Sequence, residues 1–318
     1  MIISLILLIV GFGLLIKGAD IFVDGASSTA QNLKVSKILI GLTIVAFGTS
    51  APEFAVSMQA LASHNTDMVL GNVIGSCILN TLLILGIAAI IRPIKAKDNT
   101  VRKELPITLL ISTLLAVLML DIKLGNSPIN QITRSDAIVI ILFFSVFLYY
   151  LINLALKKKE EKEEVEKPKY KMLKSLLFVG LGLAGIIYGS DLVVKHATII
   201  ATTLGISERV ISLTIIAFGT SLPELVTTIV SAKKGEQDIL LGNIIGSNIF
   251  NICVVLGIPV AIFGTITPSS FSTFDIIALV GSSLLLFIFS LSKRTINRVE
   301  GAFMFLAFVI YYVLVFIF

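Results

Sequence analysis

Gly48-Thr49-Ser50-Ala51-Pro52-Glu53 is a polar hexapeptide, broken by a proline and ending in an acid, set inside an apolar run from about Val35 to Ala62. It recurs as Gly219-Thr220-Ser221-Leu222-Pro223-Glu224, 219 − 48 = 171 residues later, again inside an apolar run. An ionisable side chain at membrane depth is costly, and a chain that places one there twice is expected to use it. A lone glutamate in such a run reads as a helix-end residue snorkelling to the interface. These two lie near the middle of their runs, beside Thr-Ser and one residue after a proline that removes a backbone donor. Backbone groups released in hydrocarbon need partners, so such a break is tolerated where it is buried in protein or lines a wet cavity. The pattern points to an ion site.

The rest of the chain agrees with a membrane setting. Of its 318 residues 56% are hydrophobic and only 14% charged, against the quarter or so of charged residues usual in soluble domains, and the mean hydropathy is +1.00. Cys77 and Cys253 both fall in apolar runs, far from any second Cys or His, so they are expected to be small core residues rather than a disulfide or zinc site. His64 and His196 lie near run ends and read as loop residues. The net charge of +5 is explained by lysine-rich cytoplasmic loops rather than by nucleic acid. The first run lacks a basic start and a cleavage site, so no cleavable signal is expected.

Apolar runs long enough to cross a bilayer lie near 2–23, 36–62, 68–91, 105–121, 134–156, 172–194, 208–232, 239–264, 273–291 and 299–318. The expected fold is an all-α polytopic membrane protein with ten transmembrane helices and broken core helices. The halves align without a gap at offset 171: Gly18 with Gly189, Asp20 with Asp191, Gly71 with Gly242, Asn80 with Asn251 and Gly86 with Gly257. Five spans per half is an odd number, so the second half enters the membrane from the opposite side, making two inverted five-helix repeats, the architecture of many secondary transporters. The domains are then 1–156, a charged linker 157–171 and 172–318. The linker region, Lys157 to Lys174, mixes eight lysines with five glutamates and reads as a solvated cytoplasmic loop. Lys and Arg concentrate in the loops after the odd-numbered spans (Lys34, Lys37, Arg92, Lys95, Lys97, Arg102, Lys103, the linker lysines, Lys233, Lys234, Lys293, Arg294 and Arg298), while the opposite loops hold Lys123, Arg134, Lys195 and Arg209. The positive-inside rule makes the first set cytoplasmic and both termini extracellular.

Helical spacing directs Thr49, Ser50 and Glu53 into one space, and Thr220, Ser221 and Glu224 likewise. A second row recurs at intervals of four in the following span: Asn72, Ser76 and Asn80 in one half, Asn243, Ser247 and Asn251 in the other. Gly71, Gly75, Gly242 and Gly246 beside these rows are small residues that let helix backbones approach. Together with carbonyls expected to be freed near Ala46 and Ala217, the inventory is two carboxylates, hydroxyls, amides and backbone oxygens. Such an all-oxygen set suits hard cations such as Ca²⁺ and Na⁺. Two glutamates supply a formal −2, which matches one Ca²⁺ or a pair of monovalent ions, and competition for shared ligands gives exchange.

The pair GTSAPE…GNVIGSCILN and GTSLPE…GNIIGSNIFN resembles the two alpha-repeats of the cation/calcium antiporter superfamily, in its sodium/calcium exchanger branch of prokaryotic type, over essentially the whole chain. That resemblance implies a plasma-membrane antiporter that exchanges Ca²⁺ for Na⁺ by alternating access, with no cofactor, acting as a monomer in the lipid bilayer. It implies that Glu53 and Glu224 are the central Ca²⁺ ligands. Thr49, Ser50, Thr220, Ser221 and the carbonyls of Ala46 and Ala217 would share Na⁺ and Ca²⁺, and Ser76, Asn80, Ser247 and Asn251 would complete the cage. The family's first and sixth helices slide across this core. The sequence departs from several exchangers in having Asn251 where they carry an aspartate, which weakens a case for K⁺ co-transport and a three-to-one Na⁺ stoichiometry. The linker has no room for a folded Ca²⁺-sensing domain.

The same residues bear on other functional classes. An H⁺-coupled or Mg²⁺-selective antiporter remains an alternative, although the proton-coupled branch carries Gly-Asn before the acid and this chain does not. A cation channel also uses acidic rings, but inverted repeats within one chain do not build a rotationally symmetric pore. An intramembrane enzyme needs a nucleophile–base pair or a motif such as HExxH beside the glutamates, and none is present.

Overall fold

The computed structural model of the chain describes residues 2–125, 128–160, 167–205, 217–267, 273–291 and 293–317. Eleven helices organise them: α1 (Ile2–Leu33), α2 (Lys37–Thr49), α3 (Ala51–Ala62), α4 (Thr66–Ile91), α5 (Leu105–Leu118), α6 (Arg134–Glu160), α7 (Met172–Thr203), α8 (Leu222–Lys234), α9 (Gln237–Phe263), α10 (Thr273–Leu291) and α11 (Arg298–Ile317). Among the described residues seven helices (α1, α4, α6, α7, α9, α10 and α11) are long and apolar enough to cross a membrane, and α2 with α3, bent by 45° at Ser50, makes an eighth. The chain is an all-helical membrane protein. Residues 208–216, the start of the seventh expected span, lie outside the described residues, as do linker residues 161–166.

Apolar side chains left exposed on α1, α6 and α11, such as Ile3, Ile9, Val146, Tyr149, Val299 and Leu306, form surfaces suited to lipid. In α4 and α9, by contrast, 72% and 89% of the apolar window is buried. These two helices carry the polar rows. Each contains a π-helical turn, Leu79–Ile84 and Asn251–Leu256, beginning at or just before the paired asparagines, and others occur at Gly41–Val45 and Thr100–Glu104. A π turn shifts the backbone pairing by one residue and so re-aims the side chains around it, a device common at functional sites.

Helix ends have local causes. Asn65 Oδ1 accepts the Met68 N–H and caps α4. Gly235, at φ +78°, closes α8, with the Glu236 N–H reaching the Ser231 carbonyl at 2.9 Å. At α11, Asn297 Oδ1 accepts the Glu300 N–H while Glu300 Oε2 accepts the Asn297 N–H, a capping box, and Thr133 with Asp136 does the same for α6.

Two compact bodies emerge, each drawing on both halves of the chain. The first holds Met1–Pro52 and Lys157–Asn243. Its axis is the α1–α7 seam. A Cβ on Gly18 would meet the Ile186 N at 2.8 Å and the Gly182 O at 2.9 Å, and one on Gly189 would meet the Leu15 N at 2.7 Å and the Gly11 O at 2.8 Å. Adding 171 to Gly18, Leu15 and Gly11 gives Gly189, Ile186 and Gly182, so this is one contact made twice with the halves exchanged. Leu15, Phe22, Val23, Ala26, Ile186 and Val193 fill the space around it.

Both long seam helices outrun their hydrophobic stretches. α1 was expected to end near residue 23 and continues to Leu33, because Asp20 and Asp24 are partnered: Lys234 Nζ sits 2.8 Å from Asp20 Oδ1 and 2.5 Å from Asp24 Oδ1, and Lys169 Nζ 2.7 Å from Asp24 Oδ2. That hydrogen bond holds the Lys169 ammonium above its ordinary pKa. With Asn32 Nδ2 donating to the Tyr170 carbonyl at 2.8 Å, the end of the linker is tied to α1 rather than simply solvated. α7, expected to end near 194, continues to Thr203, so His196 is a buried helical residue and not a loop one, whereas His64 does lie in the α3–α4 turn at φ +60°.

The second body holds Glu53–Leu156 and Ile244–Phe318. α4 and α11 meet where Gly86 and Gly301 face each other's carbonyls, and α5 and α10 meet at Ser112 and Ser283, whose hydroxyls are 2.9 Å apart and whose numbers differ by 171. The Tyr150 hydroxyl donates to Glu104 and the Tyr311 hydroxyl to Asp275, and these acids are again 171 apart. A two-stranded pairing, β1 (Ile94–Lys95) with β2 (Thr295–Ile296), ties one pair of connections, and the Ile132–Ile266 bridge another. Cys77 and Cys253 are buried and free, as expected for core residues.

Candidate ion site

The bend between α2 and α3 falls on Ser50 (φ −86°, ψ 6°), and Ser221, capping α8, has nearly the same backbone (φ −90°, ψ 4°). Pro52 and Pro223 follow two residues later, in the first turn of α3 and α8, where a missing N–H costs nothing inside the new helix. The repeated motif therefore builds the same break twice, with Glu53 and Glu224 placed in the first turn beyond it and both fully buried.

In the first body one break residue bonds Glu224 and its neighbour bonds Asn243. The Ser50 hydroxyl donates to Glu224 Oε1 at 2.9 Å. The Thr49 hydroxyl donates to Asn243 Oδ1 at 3.0 Å, and Asn243 Nδ2 donates to Thr228 Oγ1 at 3.2 Å. Ser221 is buried, Thr220 half-buried in the turn, and Ala217 opens the single helical turn Ala217–Gly219. The expectation that the prolines free the carbonyls of Ala46 and Ala217 is corrected by the helical register. A proline removes the donor to the residue four earlier, which is Gly48 for Pro52 and Gly219 for Pro223. The Ala46 carbonyl accepts the Ser50 N–H at 3.0 Å and lies 3.4 Å from the Thr49 hydroxyl, which can also donate to it. The Gly219 carbonyl accepts the Ser190 hydroxyl at 2.9 Å; the position equivalent to Ser190 in the first half is Ala19.

In the second body Asn72 Nδ2 donates both to the Glu53 carbonyl and to Ser57 Oγ, each at 2.9 Å. Ser57 and Asn72 are the repeat equivalents of Thr228 and Asn243, so each motif glutamate lies near an asparagine–hydroxyl bond of the same kind. Ser76, Asn80, Ser247 and Asn251 are all buried. Among the described residues Ser247 Oγ, Asn80 Oδ1 and both amide atoms of Asn251 have no hydrogen-bond partner. Buried oxygens in that condition cost about 1–3 kcal/mol each unless something else satisfies them. For the oxygens among them, a hard cation is a partner of the right chemistry.

Several residues went unnoticed in the sequence. Thr227 and Ser231 extend the polar face of α8 beyond Glu224 at helical spacing, and their buried hydroxyls have no hydrogen-bond partner among the described residues. Asn248, buried on α9, bonds to Asn80 and Thr81. The spacing of Thr227 and Ser231 from Glu224, +3 and +7, is a signal that could have found them. Of the four glycines expected to pack, Gly242 does: a Cβ there would meet the Ile38 O at 2.7 Å and the Gly41 Cα at 2.8 Å, whereas one on Gly71 or Gly75 would meet nothing within 4 Å among the described residues.

A family profile described as sodium/calcium exchanger protein matches residues 3–153 and 174–317. The chain belongs to the sodium/calcium exchanger family. It is 32% identical to the sodium/calcium exchanger MaX1 of Methanosarcina acetivorans over 99% of both chains, and 38% identical to the inner membrane protein YrbG of Escherichia coli over 86% of this chain and 84% of that one. Among solved structures, the sodium–calcium exchanger NCX_Mj soaked with 10 mM Na⁺ superposes with a TM-score of 0.85 at 34% identity, over 97% of both chains. The family is one of transporters, and the membership covers both bodies and all of the motif residues.

Proposed function

We propose that this chain is a secondary antiporter that exchanges Ca²⁺ for Na⁺ by alternating access. The observation that carries the reading is the twice-built break: two fully buried glutamates, each just past a Ser–Xaa–Pro bend of matching backbone, in a chain of the sodium/calcium exchanger family. The ligands are Glu53 and Glu224, with Thr49, Ser50, Thr220, Ser221, Ser76, Asn80, Ser247 and Asn251, and the carbonyls of Ala46 and Ala217. Glu53 and Glu224 bring −2, which one Ca²⁺ neutralises. Na⁺ ions compete for the same oxygens. An empty site leaves buried charge uncompensated, so the unloaded carrier reorients reluctantly and the two fluxes are coupled.

The architecture proposed around it is ten spans in two inverted repeats, 1–156 and 172–318, joined by the cytoplasmic linker 157–171. The contacts of Gly11, Gly18, Gly182 and Gly189, repeated with the halves exchanged, support that reading, as does the pairing of Ser112 with its own equivalent Ser283. In this reading the protein is a monomer in the plasma membrane with both termini outside. Family membership favours Na⁺ coupling over H⁺. Glu53→Gln and Glu224→Gln test the site: each keeps the side-chain volume, and each is expected to abolish Ca²⁺ flux at normal expression. Near-normal flux in both variants removes these glutamates from the mechanism.

A further inference from the structure

Asn80 and Asn251 occupy equivalent places in the two repeats and are the same residue, yet they are held differently. Within the second body, Asn80 Nδ2 donates to Asn248 Oδ1 at 3.2 Å, and Asn248 Nδ2 donates to Thr81 Oγ1 at 2.8 Å. All three residues are at most 1% exposed. The Cys77 thiol faces the Asn248 carbonyl at 3.7 Å, which places the Asn248 backbone against α4.

An amide has a donor end and an acceptor end, so a row of amides transmits orientation. Thr81 Oγ1 takes the nitrogen end of Asn248, which turns the oxygen end of Asn248 toward Asn80. That oxygen takes the nitrogen end of Asn80. The Asn80 carbonyl oxygen is left facing the other way, buried and without a hydrogen-bond partner among the described residues. A row ending on a buried, unpaired carbonyl oxygen is arranged for a cation.

The second repeat has no such row. The residue equivalent to Asn248 is Cys77, which has no amide, and the residue equivalent to Thr81 is Ile252, which has no hydroxyl. Correspondingly, neither amide atom of Asn251 has a partner among the described residues. We infer that Asn248, oriented by Thr81, is a positioning residue that fixes Asn80 with its oxygen toward the transported cation, while Asn251 is left free to turn. A symmetric sequence thus yields one preset and one adjustable amide ligand.

This inference rests on the reading of Asn80 as a ligand, and the test separates the two. Ca²⁺ is titrated calorimetrically into the purified, detergent-solubilised full chain in Na⁺-free buffer, which gives a Kd that does not depend on the coupling ion, and the melting temperature is recorded without Ca²⁺. Asn80→Ala tests the ligand; Asn248→Cys, which copies the other repeat, and Thr81→Val test the row. Losing the partner that orients a metal ligand typically weakens affinity 10–100-fold. The expected result is a Kd raised about 10-fold or more in Asn248→Cys and Thr81→Val with little change in the ion-free melting temperature, and restoration of the Kd when a hydroxyl is returned in Thr81→Ser. If Asn80→Ala weakens Ca²⁺ binding while Asn248→Cys and Thr81→Val do not, the positioning role is overturned and the ligand stands. Unchanged binding in Asn80→Ala removes the ligand and the positioning role with it. Should Asn248→Cys fail to accumulate, Thr81→Val against Thr81→Ser decides the matter alone.

Discussion

Gly182 and Gly180 sit two residues apart on α7 and should respond to alanine with opposite signs. A Cβ on Gly182 would lie 2.6 Å from the Phe22 N and 2.7 Å from its Cα, atoms of the α1 backbone that have no rotamer to escape into, whereas one on Gly180 meets nothing within 4 Å. Ordinary contact needs about 3.6 Å, so Gly182→Ala drives α1 and α7 apart by roughly 1 Å, enough to forfeit a quarter to a half of the dispersion energy of each contact it opens. Overpacking of this kind costs about 1–3 kcal/mol. Gly180→Ala instead gains helix propensity, up to about 1 kcal/mol. The two variants should therefore differ by roughly 2–4 kcal/mol. At about 2.1 cal/mol/K per residue, a chain of 318 residues has an unfolding entropy near 0.7 kcal/mol/K, so the melting temperatures should separate by roughly 3–6 °C. The chain has no tryptophan, but Cys77 and Cys253 are buried, so a thiol-reactive fluorophore reports unfolding on a heating ramp. Gly182→Ala melting at or above Gly180→Ala would refute the close α1–α7 seam.

Two further outcomes are expected. Ser190→Ala leaves the Gly219 carbonyl without the hydroxyl it accepts and should destabilise the chain by about 1–3 kcal/mol, measured on the same ramp; an unchanged melting temperature would remove this bond from the stability of the break. Asn251→Asp adds a carboxylate to the donor set and should change the Na⁺ or K⁺ dependence of Ca²⁺ uptake more than the melting temperature, and an unaltered ion profile would show that position 251 does not set the coupling.

The candidate site is legible in the sequence where polar residues interrupt hydrocarbon. Glu53 and Glu224 stand out because nothing around them is charged, and the 171-residue offset stands out because Thr-Ser-Xaa-Pro-Glu has few reasons to be repeated. Helix ends were less legible. Asp20, Asp24 and His196 look like the edge of a span, and only the partners brought by Lys234 and Lys169 show why α1 stays helical past the two aspartates. The freed carbonyl is two residues from the expected one because a proline frees the carbonyl four residues earlier: Ala46 accepts the Ser50 N–H, and Pro52 has no N–H to offer Gly48. The π turns at Asn80 and Asn251 leave no mark in composition. Asn248 was invisible to a search for repeats, since its meaning lies in the Cys77 that replaces it in the other half.

Coupling of the two fluxes is tested directly by ⁴⁵Ca²⁺ uptake into proteoliposomes. Vesicles preloaded with Na⁺ are compared with vesicles lacking a Na⁺ gradient and with vesicles carrying only a pH gradient. Uptake is expected to require internal Na⁺ and to be lost in Glu53→Gln. Uptake driven by the pH gradient alone, indifferent to Na⁺, would contradict it.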